Sequence, residues 1–128
     1  MYINIYNIKF QNSKVMRVIK TKHFPFNGYK AINLFGIIFT KGELSNKELN
    51  HEAIHTEQMK EMLYIFFYIW YGIEYLIIRL FHIKQHDAYK DISFEEEAHA
   101  FDNYANYISK RKHYTWTKYL GINSSKTA

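Results

Sequence analysis

Cysteine is absent from this chain of 128 residues, so no disulfide can staple it and no thiolate can hold a metal. Any metal site must be built from imidazole and carboxylate. Proline occurs once and glycine five times, too few for a collagen-like or low-complexity chain. The N-terminus, MYINIYNIKFQNSKVMRVIK, lacks both a continuous apolar stretch and a small-residue cleavage site. No signal peptide is expected, and the expected location is cytoplasmic or membrane-associated. Internal repeats are missing too, which excludes a solenoid.

What is present describes a chain that folds. Hydrophobic residues make up 48% and aromatic residues 19%, with 12 Tyr and 10 Phe, far above a disordered composition and enough for one core in one domain. The formal charge is +5 and the pI near 9.3. That excess is thinly spread, reads as a solvated basic surface, and does not by itself point to nucleic acid.

The pattern divides into a β-rich part (1–42), a helical part (45–112) and a tail (113–128). Tyr2 to Phe10 and Val15 to Ile19 suit short strands around a polar turn at Gln11 to Lys14. The segment AINLFGIIFT, Ala31 to Thr40, is the best strand candidate, with Pro25 outside it. Ser45-Asn46-Lys47-Glu48 spells a capping box and predicts a helix from about Asn46, with Leu49, Ile54, Met59 and Met62 on its apolar stripe. A second such box at Ser93-Phe94-Glu95-Glu96 predicts a helix running to about Lys110. The expected class is α+β, mainly helical with a small N-terminal sheet.

Residues 62–81, MLYIFFYIWYGIEYLIIRLF, form an apolar block of bilayer-spanning length. Glu74 and Arg79 inside it oppose a span. Two readings follow: a buried or membrane-surface helix, and a true span. Membrane contact through 62–81 is thus one expected partnership. At Lys110 to His113, cations followed by Tyr114, Trp116 and Tyr119 suit helix-dipole complementation, with lipid headgroups or single-stranded nucleic acid as alternatives.

The segment that carries chemistry is His51-Glu52-Ala53-Ile54-His55, an HExxH pattern inside the first predicted helix. Two His at i and i+4 project to one side of a helix and can share one Zn²⁺ at about 2.0–2.1 Å. Glu52, beside the first ligand, is then the general base. The alternative is a solvated helix face that spells the motif by chance. Catalytic zinc needs a third protein ligand, and Glu95-Glu96-Glu97-Ala98-His99 offers one. Glu97 lies nearer the centre of that helix's apolar face, while the three glutamates would also complement a helix N-terminus without any metal. Gln58 could bond a substrate carbonyl or a ligand carboxylate, or be an ordinary exposed glutamine. His82, His86 and Asp87 form a weaker rival group, more simply read as surface.

HExxH followed by Glu-x-x-Ala on a later helix resembles the gluzincin metallopeptidases. His51 to Gln58 and Phe94 to His99 are also similar to small bacterial proteins carrying HExxHxxQ and then a phrase such as FEREAY. The resemblance implies a zincin-like minimal metallopeptidase fold, a peptide or protein substrate, and His51, His55 and Glu95 as zinc ligands with Glu52 catalytic. Where gluzincins have an Asp that supports a zinc histidine, this chain has His99.

Overall fold

A computed structural model describes residues 4–10, 14–23, 30–81 and 88–120. It is a mixed α+β structure. Strands β1 (Asn4–Phe10) and β2 (Lys14–Lys20) pair antiparallel, from Asn4 opposite Lys20 to Phe10 opposite Lys14. The turn expected at Gln11 to Lys14 lies outside the described residues except for Lys14, which opens β2.

The single strand expected over Ala31 to Thr40 is instead a hairpin of β3 (Ala31–Leu34) and β4 (Ile37–Thr40). The reason is local. Phe35 (φ 54) and Gly36 (φ 87) both lie in the left-handed region, which a two-residue turn with φ > 0 at both central positions requires. Asn33 Oδ1 closes the turn by accepting from the Gly36 N–H at 2.9 Å. The sheet order is β1-β2-β4-β3, with β2 and β4 parallel, so β3 is an edge strand.

Helix α1 (Asn46–Glu61) starts where its sequence signal places it. The Ser45 side chain accepts from the Glu48 amide, and Glu48 accepts from the Ser45 amide. Leu49 and Ala53 pack with Met16, Val18 and Ile38 of the sheet, while His51, His55 and Gln58 face α3 (Ser93–Phe101).

No glycine or proline marks the end of α1. Leu63 (φ 50) and Tyr64 (φ 61) nonetheless turn left-handed, and the Tyr64 N–H closes the end on Met59 O at 2.7 Å. A left-handed conformation costs a residue with a Cβ about 1–2 kcal/mol. The result is a 108° bend into α2 (Ile65–Phe81), whose buried stripe of Phe67, Glu74 and Ile78 contributes to a second core with Met59, Ile92, Phe94 and Trp116. The block 62–81 is therefore not one helix: Met62 caps α1, Leu63 and Tyr64 make the turn, and α2 holds the rest. Among the described residues no single helix is long and apolar enough to cross a membrane.

The second capping box does not form. Ser93 is the first helical residue, and its side chain and amide instead donate to Glu74, at 2.7 Å each. Glu74 supplies from α2 the carboxylate that favours a helix N-terminus. The helix also stops at Phe101, not near Lys110. Asn50 Nδ2 takes the freed carbonyls of Asp102 and Tyr104 at 2.8 and 3.0 Å, and a separate α4 follows at Tyr107–Lys110.

Arg111 does not serve as a dipole-complementing surface cation. Its guanidinium is buried between Glu61 and Glu97. In the described part of the tail, residues 113–120, Trp116 sits in the core within a 3-10 helix at Thr115–Tyr119.

Candidate metal centre

Helical spacing brings His51 and His55 to one face of α1, and the antiparallel approach of α3 brings Glu95 against them. Glu95 is 2% exposed although ionisable, so its charge must be met inside the protein. His51 Nε2 lies 3.1 Å from Glu95 Oε2, His55 Nε2 lies 3.1 Å from Glu95 Oε1, and the two Nε2 atoms are 3.1 Å apart.

The opposite edges of the rings determine what these atoms are. Gln58 donates through Nε2 to Phe94 O and Glu97 Oε1, both at 3.0 Å. Its Oε1 is left as the acceptor for His55 Nδ1 at 2.8 Å. Asp102 Oδ2, an acceptor only, lies 3.2 Å from His51 Nδ1. Both Nδ1 atoms therefore carry hydrogens, so in the neutral rings, the form a metal binds, both Nε2 lone pairs converge with a carboxylate on one point. Donor atoms around a tetrahedral ion at about 2.0–2.1 Å are separated by about 3.3 Å, so the three fit such an ion closely. Compared with known proteins, the chain matches no family model, no curated sequence and no solved structure. The case for the centre rests on this geometry.

Electrostatics agree that the site wants positive charge. Burial opposes a charged His55, yet the Glu95 carboxylate, with Glu52 and Gln58, lifts it to about 9. Burial likewise opposes the charge on Glu95, but His55 and His51 hold that carboxyl well below the usual range. A proton on His55 answers one donor at a time, whereas a divalent ion answers all three. Burial pushes the Glu52 carboxyl up, against the pull of His55 and His51.

Glu97 is placed elsewhere. It is fully buried, bonded to Gln58, Tyr107 and Arg111, and does not face the imidazoles. His99 is half-exposed, with its ring 4.6 Å from that of His51 and Nε2 3.7 Å from Glu95 Oε2. Burial and the neighbouring His51 lower its pKa. With His51 and Asp102 it forms a second group of potential ligands, but Asp102 there is already the acceptor for His51. An open cleft lined by Ala31, Leu44, Lys47, Glu52 and His99 leads to the centre. His82, His86 and Asp87 lie outside the described residues.

Two contributors escape the sequence, and a third, Gln58, is legible there only as one of two alternatives. Asp102, not position 99, is the carboxylate beside His51 Nδ1; its signal is a spacing of seven from Glu95, two helical turns along one face. Tyr71 donates to Glu95 Oε1 at 3.1 Å from across the bend, and nothing in an aromatic run singles it out. Gln58 is wholly buried, which the exposed reading would not permit.

Proposed function

We propose that this chain is a zinc-dependent hydrolase, a peptidase with a zincin-like arrangement of an edge strand, an HExxH helix and a glutamate helix. The observation that supports it most is the convergence of His51 Nε2, His55 Nε2 and Glu95 at 3.1 Å beside an open cleft that also holds Glu52. His51, His55 and Glu95 would hold the ion; when bound, zinc supplies Lewis acidity toward water and a carbonyl.

The chain's own residues do the rest. Glu52 takes a proton from the attacking water on its carboxylate and returns it to the leaving amine. A carboxyl raised by burial is suited to both halves of that exchange, because accepting and releasing the proton are then closer in free energy. Asp102 and Gln58 hold the rings in the tautomer that leaves Nε2 free. The edge strand β3 contributes Ala31 to the cleft wall, and although the Tyr68 hydroxyl donates to Asn33 O at 3.2 Å, the stretch of edge at Ala31 suits an extended peptide by strand addition. Asn33 of β3 ties this edge to α1, donating to Glu52 O at 3.0 Å and to Thr56 Oγ1 at 2.9 Å.

A purely structural zinc site is normally closed by four protein ligands; the three convergent donors and the adjacent cleft favour catalysis instead. The test is hydrolysis of an unfolded protein substrate by the zinc-loaded chain, abolished by a chelator and restored by zinc. No cleavage of peptides or esters by protein shown to carry zinc would overturn the reading. The tautomer argument makes its own prediction. Asp102→Asn is expected to weaken zinc binding about 10–100-fold, measured by competition with a chromogenic chelator, while leaving the circular dichroism spectrum unchanged.

A further inference from the structure

Helix α2 has two unlike sides. Its protein side carries Phe67, Glu74 and Ile78, which are buried, and Tyr71, which reaches Glu95. On its other side Ile65, Phe66, Ile69, Ile73, Leu76 and Leu80 are between 47% and 71% exposed. Ile77, Trp70 and Phe81, also exposed, widen this surface to an arc of about 160° at 3.6 residues per turn. The two charges of α2 both fall outside the arc: Glu74 is turned inward on Ser93, and Arg79 lies toward the C-terminal end on the far flank. The N–H of Trp70 is satisfied by Glu74 at 3.1 Å, leaving only its ring to face outward.

Nine exposed large apolar side chains with no charge among them are more than the isolated patches usual on a soluble surface. The width of the arc bears on what covers it. A second copy packing helix on helix would cover one stripe along the axis and leave both margins wet. A lipid surface has no such limit.

Charge points the same way. Among the described residues, Glu61, Glu74, Glu95, Glu97 and Asp102 are at most 9% exposed, whereas Arg111 is the one cation buried with them. Among the described residues five acidic side chains are thus withdrawn from the surface against one cation. The acids are drawn inward while the cations stay outside, and the net charge is +5, as an anionic leaflet would attract.

We infer that α2 docks this protein on an anionic lipid surface, lying in the plane of the interface with its apolar arc in the acyl boundary. A one-sided arc suits that placement; spanning would drag the protein side, with Glu74 and α3, into hydrocarbon. Because Tyr71 on the opposite side bonds Glu95, the candidate metal centre would sit about one helix diameter, roughly 10 Å, from the leaflet. The docking itself does not depend on the hydrolase reading.

The experiment is flotation of the full chain with phosphatidylcholine vesicles, with and without phosphatidylglycerol, alongside quenching of tryptophan fluorescence by brominated lipid. Binding is expected to need the anionic lipid and to weaken with salt. Trp70 should be quenched more strongly than the buried Trp116, whose ring lies 6.0 Å from it, so that Trp70→Phe lowers the quenching. The double variant Ile69→Glu with Ile73→Glu should lower partitioning roughly a hundredfold, about tenfold for each aliphatic side chain withdrawn from lipid, with the thermal unfolding midpoint retained. Failure to float with either vesicle would overturn the inference, as would partitioning unchanged by the double variant. A concentration-dependent dimer without lipid binding, abolished by the same substitutions, would also overturn it and assign the face to self-association.

Discussion

Glu52→Gln is expected to retain zinc at the wild-type level and to lose turnover by about 10²–10⁴-fold, the usual contribution of a positioned general acid–base. The substitution is nearly isosteric and keeps the Glu52 backbone carbonyl that binds Asn33. Neither His51 nor His55 depends on the Glu52 carboxylate for its Nδ1 partner. What is removed is the proton-accepting group, together with the charge that it sets beside His55 and Asn33. Steady-state rates on a fluorogenic peptide, taken with the zinc content of the same preparation, separate this from metal loss. Equal loss of zinc and rate would make Glu52 a support of the centre, and an unchanged rate would remove it from the chemistry.

Arg111→Ala is expected to destabilise the fold by about 3–5 kcal/mol, since it leaves two buried carboxylates without their cation. Glu61 and Glu97 are 2% and 0% exposed, and the guanidinium bridges them from the segment after α4. Burial opposes charge on Arg111, but Glu97 and Glu61 raise its pKa further above an already high value. The arginine therefore stays protonated through the accessible pH range. Glu97 also holds Gln58 at 3.0 Å, and Gln58 orients His55 at 2.8 Å. Loss of Arg111 should accordingly weaken zinc binding as well as lower the urea midpoint. A midpoint within error of wild type would show that the network carries little of the stability.

The parts legible in the sequence were those whose signals are local. Ser45 and Glu48 announce the start of α1 because both halves of a capping box lie within four residues, and the His51–His55 spacing is fixed by the helical repeat alone. Ser93 shows how the same signal misleads: its hydroxyl has a stronger partner in Glu74, nineteen residues earlier, which no local pattern can disclose. The bend at Leu63 and Tyr64 is invisible for a related reason. Its left-handed residues are of types that favour other conformations, and the ring that Tyr64 meets there, Phe35, comes from the distant hairpin turn. The strand over 31–40 was legible in composition but not in its turn, although Gly36 was the available clue. Glu95 could be separated from Glu97 only once α3 was oriented by Gln58 reaching Phe94 O and Glu97.

The metal centre is tested most directly by elemental analysis of the chain purified without added metal, compared with His55→Ala, Glu95→Ala and Glu97→Gln, each checked for helical content. The geometry predicts one zinc per wild-type chain, marked loss in His55→Ala and Glu95→Ala, and retention in whatever fraction of Glu97→Gln is folded. Equal zinc in all four proteins, or zinc lost through Glu97 and not through Glu95, would contradict it.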